Sequence, residues 1–230
     1  MKPVAAMIFA AGFGTRMAPL TDKMPKPMIK VDGKPLIDHS LSLLNGFKTI
    51  VVNTHYRAEQ IEAHLAKQSN VTCLREEPEI LETGGGLMNA LPQLGSDPVV
   101  VMNSDAVFVG PNPVPDLLAR WNPDRMDALL TLVPMAQTIA HEGSGDFSLD
   151  ENDTLIRRGE NPTAPYVYSG VQILKTERLA GISETSFSLN LLWNQMIAER
   201  QAFGWVYSGK WVDVGRPSGI QAAEEALAHV

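Results

Sequence analysis

Two stretches constrain the fold most: Val4 to Phe9 and Pro98 to Asn103 are nearly all apolar over the length of a single strand. A strand that is apolar on both faces needs cover on both, as in a parallel sheet between two layers of helices. Thr49 to Asn53 and Val71 to Leu74 read as two more strands, and helical patterns separate the four at Pro35 to Asn45, Ala58 to Lys67 and Gly86 to Leu94. The first of these helices opens on a proline and stops before Gly46, the asymmetry expected of helix ends. Strands alternating with helices predict an α/β protein of three layers, α/β/α, around a mostly parallel central sheet. Ligands of such sheets collect at the carboxyl ends of the strands.

The second half is less regular. Asp127 to Val133 and Tyr166 to Leu174 read as strands, and "DFSLDENDTLIRR" reads as a hairpin turning at Asp150 to Asp153. Amphipathic helices are expected at Ser188 to Arg200 and Arg216 to His229. The hairpin region suits a lid or small subdomain that supplies substrate contacts. With 230 residues and 44% hydrophobic content, no repeat and no linker, the chain is expected to form one domain, 1–230.

Charge and cysteine content exclude several classes. A net charge of −7 argues against nucleic acid or an anionic membrane as partner, since both need a broad basic face. The lone Cys73 excludes an internal disulfide and a Cys-based zinc site, which points to a reducing cytoplasm. The N-terminal "MKPVAAMIFAAG" superficially resembles a signal peptide, but its apolar run is short and continues into a loop with structure-forming residues. No run reaches the roughly 18 apolar residues of a membrane span.

That loop, "AAGFGTRMAPLTDKMPKPM", runs from Ala10 to Met28 at the carboxyl end of the first strand. It is not a dinucleotide fingerprint, because Met17 stands where a small residue is needed, nor a Walker loop, because Lys23 and Lys26 come too late after the glycines. Gly12 and Gly14 let backbone amides approach an anion, Arg16 adds a planar fork and Lys26 a compact point charge. Prolines 19, 25 and 27 stiffen the segment that carries Lys26. Asp105 follows the apolar run of "PVVVMNSDAV", and Asp213 sits among apolar residues in "GKWVDVGRP". Both suit a shared Mg²⁺, or alternatively a turn cap and a buried ion pair. In "LETGGGLMNAL", the glycines at 84 to 86 read as a turn that lets a ligand approach a helix start, with Glu82 or Thr83 as cap or ligand contact.

The loop is similar to the G-x-G-T-R-x-x-P-L-T-x-x-x-P-K-P signature of the sugar-1-phosphate nucleotidyltransferases, without a gap. "LETGGG", "NSDAV" and "WVDVGRP" extend the resemblance in the same order over nearly the whole chain. It implies a Rossmann-like nucleotidyltransferase fold with a small hairpin region for the sugar. It also implies transfer of a nucleotidyl group from a nucleoside triphosphate to a sugar 1-phosphate, with Mg²⁺ and release of pyrophosphate. The resemblance assigns 1–110 to nucleotide and 111–230 to sugar phosphate. Gly12, Gly14, Thr15 and Arg16 would cradle the triphosphate, while Ala10, Ala11 and the turn of Glu82, Thr83, Gly84 and Gly85 would surround the base. Lys26 would meet the α-phosphate and the sugar phosphate, and Asp105 and Asp213 would hold the metal. Gly145, Asp146, Glu160, Ser169 and Gly170 would lie near the sugar.

"LETGGG", "GSGDFSL" and "YSG" look most like the members that use UTP and N-acetylmuramate 1-phosphate in cell-wall sugar recycling. Mannose-1-phosphate guanylyltransferases and glucose-1-phosphate thymidylyl- or uridylyltransferases are also similar, and a non-catalytic nucleotide-binding regulator is the rival of another class. A monomer or small homo-oligomer is expected. One departure stands out: where many relatives carry glutamate then lysine, "LIRRGENP" has Arg157, Arg158 and Glu160. No histidine set is expected to be catalytic, because an ionised phosphate needs no base to attack.

Overall fold

The structure is a computed structural model that describes residues 3–95 and 97–229; the start of the leader-like segment (Met1, Lys2), Ser96 and Val230 lie outside them. The first half runs β1 (Ala5–Phe9), β2 (Lys30–Val31), β3 (Lys34–Pro35), α1 (Leu36–Leu43), β4 (Thr49–Thr54), α2 (Ala58–Leu65), β5 (Val71–Arg75), α3 (Glu82–Leu94), β6 (Val99–Asn103) and β7 (Ala106–Val109). The second runs α4 (Pro113–Arg120), β8 (Ala128–Pro134), β9 (Thr138–Ile139), β10 (Phe147–Leu149), β11 (Leu155–Arg157), β12 (Tyr166–Leu174), α5 (Asn190–Ala198), β13 (Ala202–Val206), β14 (Lys210–Asp213) and α6 (Ser218–Leu227).

Strands β6, β1, β4 and β5 lie side by side and parallel, with β1 central. β12 joins β6 antiparallel, β8 joins β12 antiparallel, and β13 runs parallel to β8. The all-apolar strands are covered twice, as their composition requires. Ala5, Met7, Val99 and Val101 point into one core, which includes residues of α3 and α5. Ala6, Ile8, Val100 and Met102 point into the other, with α1, α2 and α4. Burying each such large aliphatic side chain contributes roughly 1.5–3 kcal/mol, so both faces are firmly held.

Two expectations change. The hairpin of β10 and β11 is no separate subdomain, because Phe147 pairs with Tyr166 and extends the main sheet. Its turn forms where expected, with Asp150 accepting the amides of Asn152 and Thr154 at 2.9 Å each. Helix α3 begins at Glu82, so the three glycines are helical and buried. They permit close packing. A Cβ on Gly84 would lie 2.3 Å from the Phe187 ring, one on Gly85 2.1 Å from the Thr185 carbonyl oxygen, and one on Gly86 2.7 Å from Glu76 Oε1.

A second, three-stranded sheet, β7-β14-β9, packs with α6 over a smaller core that includes Met17, Ile29 and Val212. Its antiparallel register sets Asp213 opposite Ala106, the residue after Asp105.

Candidate active site

The loop after β1 opens on two glycines with different duties. Gly12 has open space around it, whereas Gly14 adopts the left-handed conformation (φ 63°). A Cβ on Gly14 would fall 2.9 Å from Lys26 Cβ and 3.0 Å from Thr21 Cγ2. The beginning of the loop therefore packs directly on the stem of its late lysine. Thr21 Oγ1 donates to the Gly14 carbonyl (3.1 Å) and closes the intervening turn. Among the described residues no group accepts from the Gly12 or Gly14 amide, while Thr15 and Arg16 stand exposed beside them. Two free amides next to a guanidinium have the chemistry to receive an anion.

Lys26 reaches back across the cleft. Its Nζ donates to Asp105 Oδ2 at 2.6 Å, with side-chain exposures of 12% and 30%. On the neighbouring strand, Asp213 Oδ2 lies 3.0 Å from His141 Nδ1. Its Oδ1 would be 2.7 Å from a Cβ on Gly215, a point that is 3.4 Å from Arg16 Nη1. Gly215 thus leaves room for a carboxylate and a guanidinium to converge. Asp105 and Asp213, 108 positions apart in the chain (213 − 105), are brought together by the pairing of β7 with β14.

The glycine loop, Lys26 and Asp105 frame a cleft of about 330 Å³ at the carboxyl ends of β1, β4 and β6, lined by Ala10, Ala11, Gly12, Gly14, Thr15, Arg16, Lys26, Glu82, Thr83 and Asp105, among others. Arg16 and Gly215 also border a second recess with Asp213 and His141. Phe9, Thr83 and Asn103 border a third, of about 310 Å³, containing Asp146, Arg157, Tyr168, Asn190 and Trp193. The three recesses are contiguous through these shared residues.

Behind the first cleft lies a polar network that the sequence reading missed. The Ala10 amide donates to Asn53 Oδ1 (2.9 Å), Asn53 Nδ2 to Glu76 Oε1 (2.7 Å), and the Leu81 amide to Glu76 Oε2 (2.8 Å). Glu76 is 1% exposed, so its carboxylate is committed to fixing the loop and the start of α3. The Ala10 amide is therefore taken, and the amides of Gly84 and Gly85 are both given to the Phe187 carbonyl. Of the presumed base-binding turn, only Glu82 and Thr83 face the cleft. Glu82 does so with φ 57°, a strained conformation for a bulky residue. Asn53 and Glu76 each stand at the carboxyl end of a strand or just beyond it, which was the available signal.

The sugar-side expectations divide. Asp146 borders the third recess and accepts the Tyr168 amide at 2.9 Å. Ser169 is fully buried and donates to the Thr131 carbonyl (3.0 Å). Gly170 (φ 89°) packs on the Asn103 side chain at an irregularity of β12. Gly145 (φ 82°) is buried against the Ala164 carbonyl, and its own carbonyl accepts from Arg158 Nε at 2.9 Å. Glu160 is exposed and borders none of the three recesses. Burial, and after it the charge of Asp105, pushes the Tyr168 hydroxyl well above its ordinary range, so it stays a neutral donor. Three histidines have structural partners: His39 faces the Val31 carbonyl, His55 the Glu76 carbonyl, and His64 Asp38.

A nucleotidyl transferase family model matches residues 5–229. The N-acetylmuramate alpha-1-phosphate uridylyltransferase of Caulobacter vibrioides is 38% identical, over 98% of both chains. The protein of the same name from Neisseria meningitidis serogroup B is 36% identical over 97% of each. In structure, HddC of Yersinia pseudotuberculosis, solved in complex with GMP-PN, superposes with a TM-score of 0.76 at 21% identity, covering 98% of this chain and 99% of its own. That likeness supports the three-layer α/β fold. Among the described residues no helix is long and apolar enough to cross a membrane.

Proposed function

The chain belongs to the nucleotidyl transferase family, and within it we propose that the protein transfers a uridylyl group from UTP to N-acetylmuramate 1-phosphate, releasing pyrophosphate. The single observation that carries this reading is the Lys26–Asp105 ion pair beside the free amides of the glycine loop, with Asp213 paired across the small sheet to the residue after Asp105. Near full-length identity to two relatives bearing that activity in their names supports the choice of substrates.

Two polyanions must approach each other, so charge neutralisation and alignment are the work of the site. An oxygen of the sugar phosphate attacks the α-phosphorus, a P–O bond forms, and the bond to the pyrophosphate oxygen breaks, its electron pair leaving with pyrophosphate. A phosphate monoester, with second pKa of about 6, is already ionised near neutral pH, and no base has to take a proton. Gly12, Gly14 and Arg16 hold the triphosphate at the leaving side. Lys26 sits where α-phosphate and incoming phosphate meet, and its ion pair with Asp105 keeps the ammonium in position.

Asp105 and Asp213 fit Mg²⁺. Among the described residues no cluster of three or more acidic, His or Cys side chains could cage a metal, and Mg²⁺ is commonly held by one or two carboxylates plus substrate phosphates. Bound there, Mg²⁺ would neutralise developing charge on the phosphates. His141 orients Asp213 through its 3.0 Å contact. The first half of the chain supplies the nucleotide loop and one wall of the sugar recess, and the second supplies Asp213 and the rest of that recess.

The test is pyrophosphate release with Mg²⁺, crossing UTP, GTP, CTP, dTTP and ATP with several sugar 1-phosphates. UTP with N-acetylmuramate 1-phosphate should give the highest kcat/KM. No release with any pair would refute catalysis, and faster release with GTP and mannose 1-phosphate would refute the substrate assignment.

A further inference from the structure

We propose that Arg157 selects an acidic sugar, its guanidinium receiving a carboxylate carried on the sugar ring in the recess beside the nucleotide cleft. The inference rests on the substrate reading above and names the residue that would enforce it.

Arg157 occupies an unusual place for a cation. It lies on β11 opposite Phe147, and its guanidinium carbon is 5.0 Å from the Phe147 ring centroid and 5.6 Å from that of Trp193. Nη2 donates to Asn190 Oδ1 at 2.9 Å. Nε is buried and has no acceptor. Among the described residues no carboxylate forms an ion pair with Arg157, whereas Arg75, Arg178, Arg200 and Arg216 each have at least one. The nearby Asp146 is turned to the Tyr168 amide instead.

Burial depresses the pKa of Arg157, and the nearby charge of Asp146, which forms no ion pair with it, only partly offsets that cost. A guanidinium nonetheless stays charged at any working pH. Arg157 lines the recess, and a half-buried cation against two rings, whose Nη1 has no acceptor among the described residues, is a receptor for a planar anion. The phosphate of the substrate already has Lys26, so the second anion belongs elsewhere on the sugar. Muramate differs from its parent amino sugar by one carboxylate, borne on an ether at the ring.

The test compares N-acetylmuramate 1-phosphate with its carboxyl methyl ester, which neutralises the arm and leaves the protein untouched. On the wild-type enzyme the acid should have a KM about 10–100-fold lower than the ester, the range of one charge-assisted hydrogen-bond pair, with kcat changed less. Arg157→Gln should bring that ratio to within about threefold of unity, and Arg157→Lys should restore part of it. Equal use of acid and ester by the wild type overturns the proposal even if the variants do not fold. A ratio kept intact in Arg157→Gln also overturns it, while leaving the substrate reading in place. Equal losses on acid and ester in the variant would assign Arg157 to the shared phosphate and overturn it too. Wild-type preference for N-acetylglucosamine 1-phosphate would refute the substrate reading itself, and this inference with it.

Discussion

Gly14→Ala tests whether the loop couples its beginning to its end. An L-residue held at φ 63° costs roughly 1–2 kcal/mol. The new Cβ would also stand 2.9 Å from Lys26 Cβ and 3.0 Å from Thr21 Cγ2. These are atoms close to the backbone, so the loop itself must move, at about 1 kcal/mol more. A total of about 2–3 kcal/mol in a chain of this size lowers Tm by about 4–12 °C. Function should suffer more than stability, since Lys26 moves with its stem. A displacement of about 1 Å at a phosphoryl-transfer site costs on the order of 100-fold in rate.

Gly12→Ala is the matched control. Nothing lies within 4 Å of its Cβ position and its φ is not left-handed, so stability should stay within about 0.5 kcal/mol. Its effect should fall on nucleotide KM, through a hindered approach of phosphate to the amide. Differential scanning fluorimetry and steady-state pyrophosphate release on both variants decide the matter. If Gly14→Ala melts with the wild type and turns over normally, the account of the loop is wrong.

Asp105→Ala and Asp213→Ala should each abolish Mg²⁺-dependent release while circular dichroism and Tm change little; normal turnover in either removes it from the metal site. Lys26→Ala should lose kcat more than nucleotide affinity, and equal losses in sugar-phosphate binding and rate would reduce it to a ground-state contact. Gly85→Ala should destabilise by roughly 1–3 kcal/mol, because its Cβ would meet the Thr185 carbonyl oxygen. A flexible or exposed glycine there would instead gain roughly 0.5–1 kcal/mol from alanine, so the sign of the change in a urea melt separates the two. Burial raises the Asp127 carboxyl, but Lys175 and Arg178 outweigh it and hold the pKa below its ordinary 3.8. That stability is present above pH 3.8 and fades as pH falls through the lowered value. Asp127→Asn should therefore be less stable at pH 7 and lose less on acidification; an unchanged pH profile of Tm would refute the pairing.

Much of the scaffold was legible because the strands are apolar on both faces and the helices are punctuated by proline and glycine. The runs at Val4, Thr49, Val71 and Pro98 became β1, β4, β5 and β6 within a residue or two, and Tyr166 to Leu174 became β12 with identical bounds. Short elements escaped. β7 and β14 span four residues each and pair with each other across 101 to 107 positions (210 − 109 and 213 − 106), so no local pattern announces them. Helix α4 carries an Asn112 cap accepting the Val114 amide and a proline at its start, but a second proline two residues later masked the pattern. The glycines at 84 to 86 misled for a physical reason. Spacing reveals that a residue must be small, not whether a ligand or a neighbouring chain segment occupies the space; here it is Phe187, Thr185 and the Asn53–Glu76 pair. His141 had no signal at all, since its role exists only once β9 lies beside β14.

The same long-range pairing bears on how labour is divided along the chain. A nucleotide half and a sugar half can be drawn in sequence, but the sheet crosses that line. β6, from the first half, is bonded on one edge to β1 and on the other to β12 from the second. β7 receives β14 in the same way, and Asp105, just before β7, comes near Asp213 through that contact. Separating the halves would strip one edge from β6 and open both cores, each of which contains residues from both halves. A site whose two carboxylates come from opposite halves cannot form until the sheet has closed. The parts that would hold Mg²⁺ are therefore assembled by the same strand pairings that complete the fold, and folding and competence for nucleotidyl transfer arrive together.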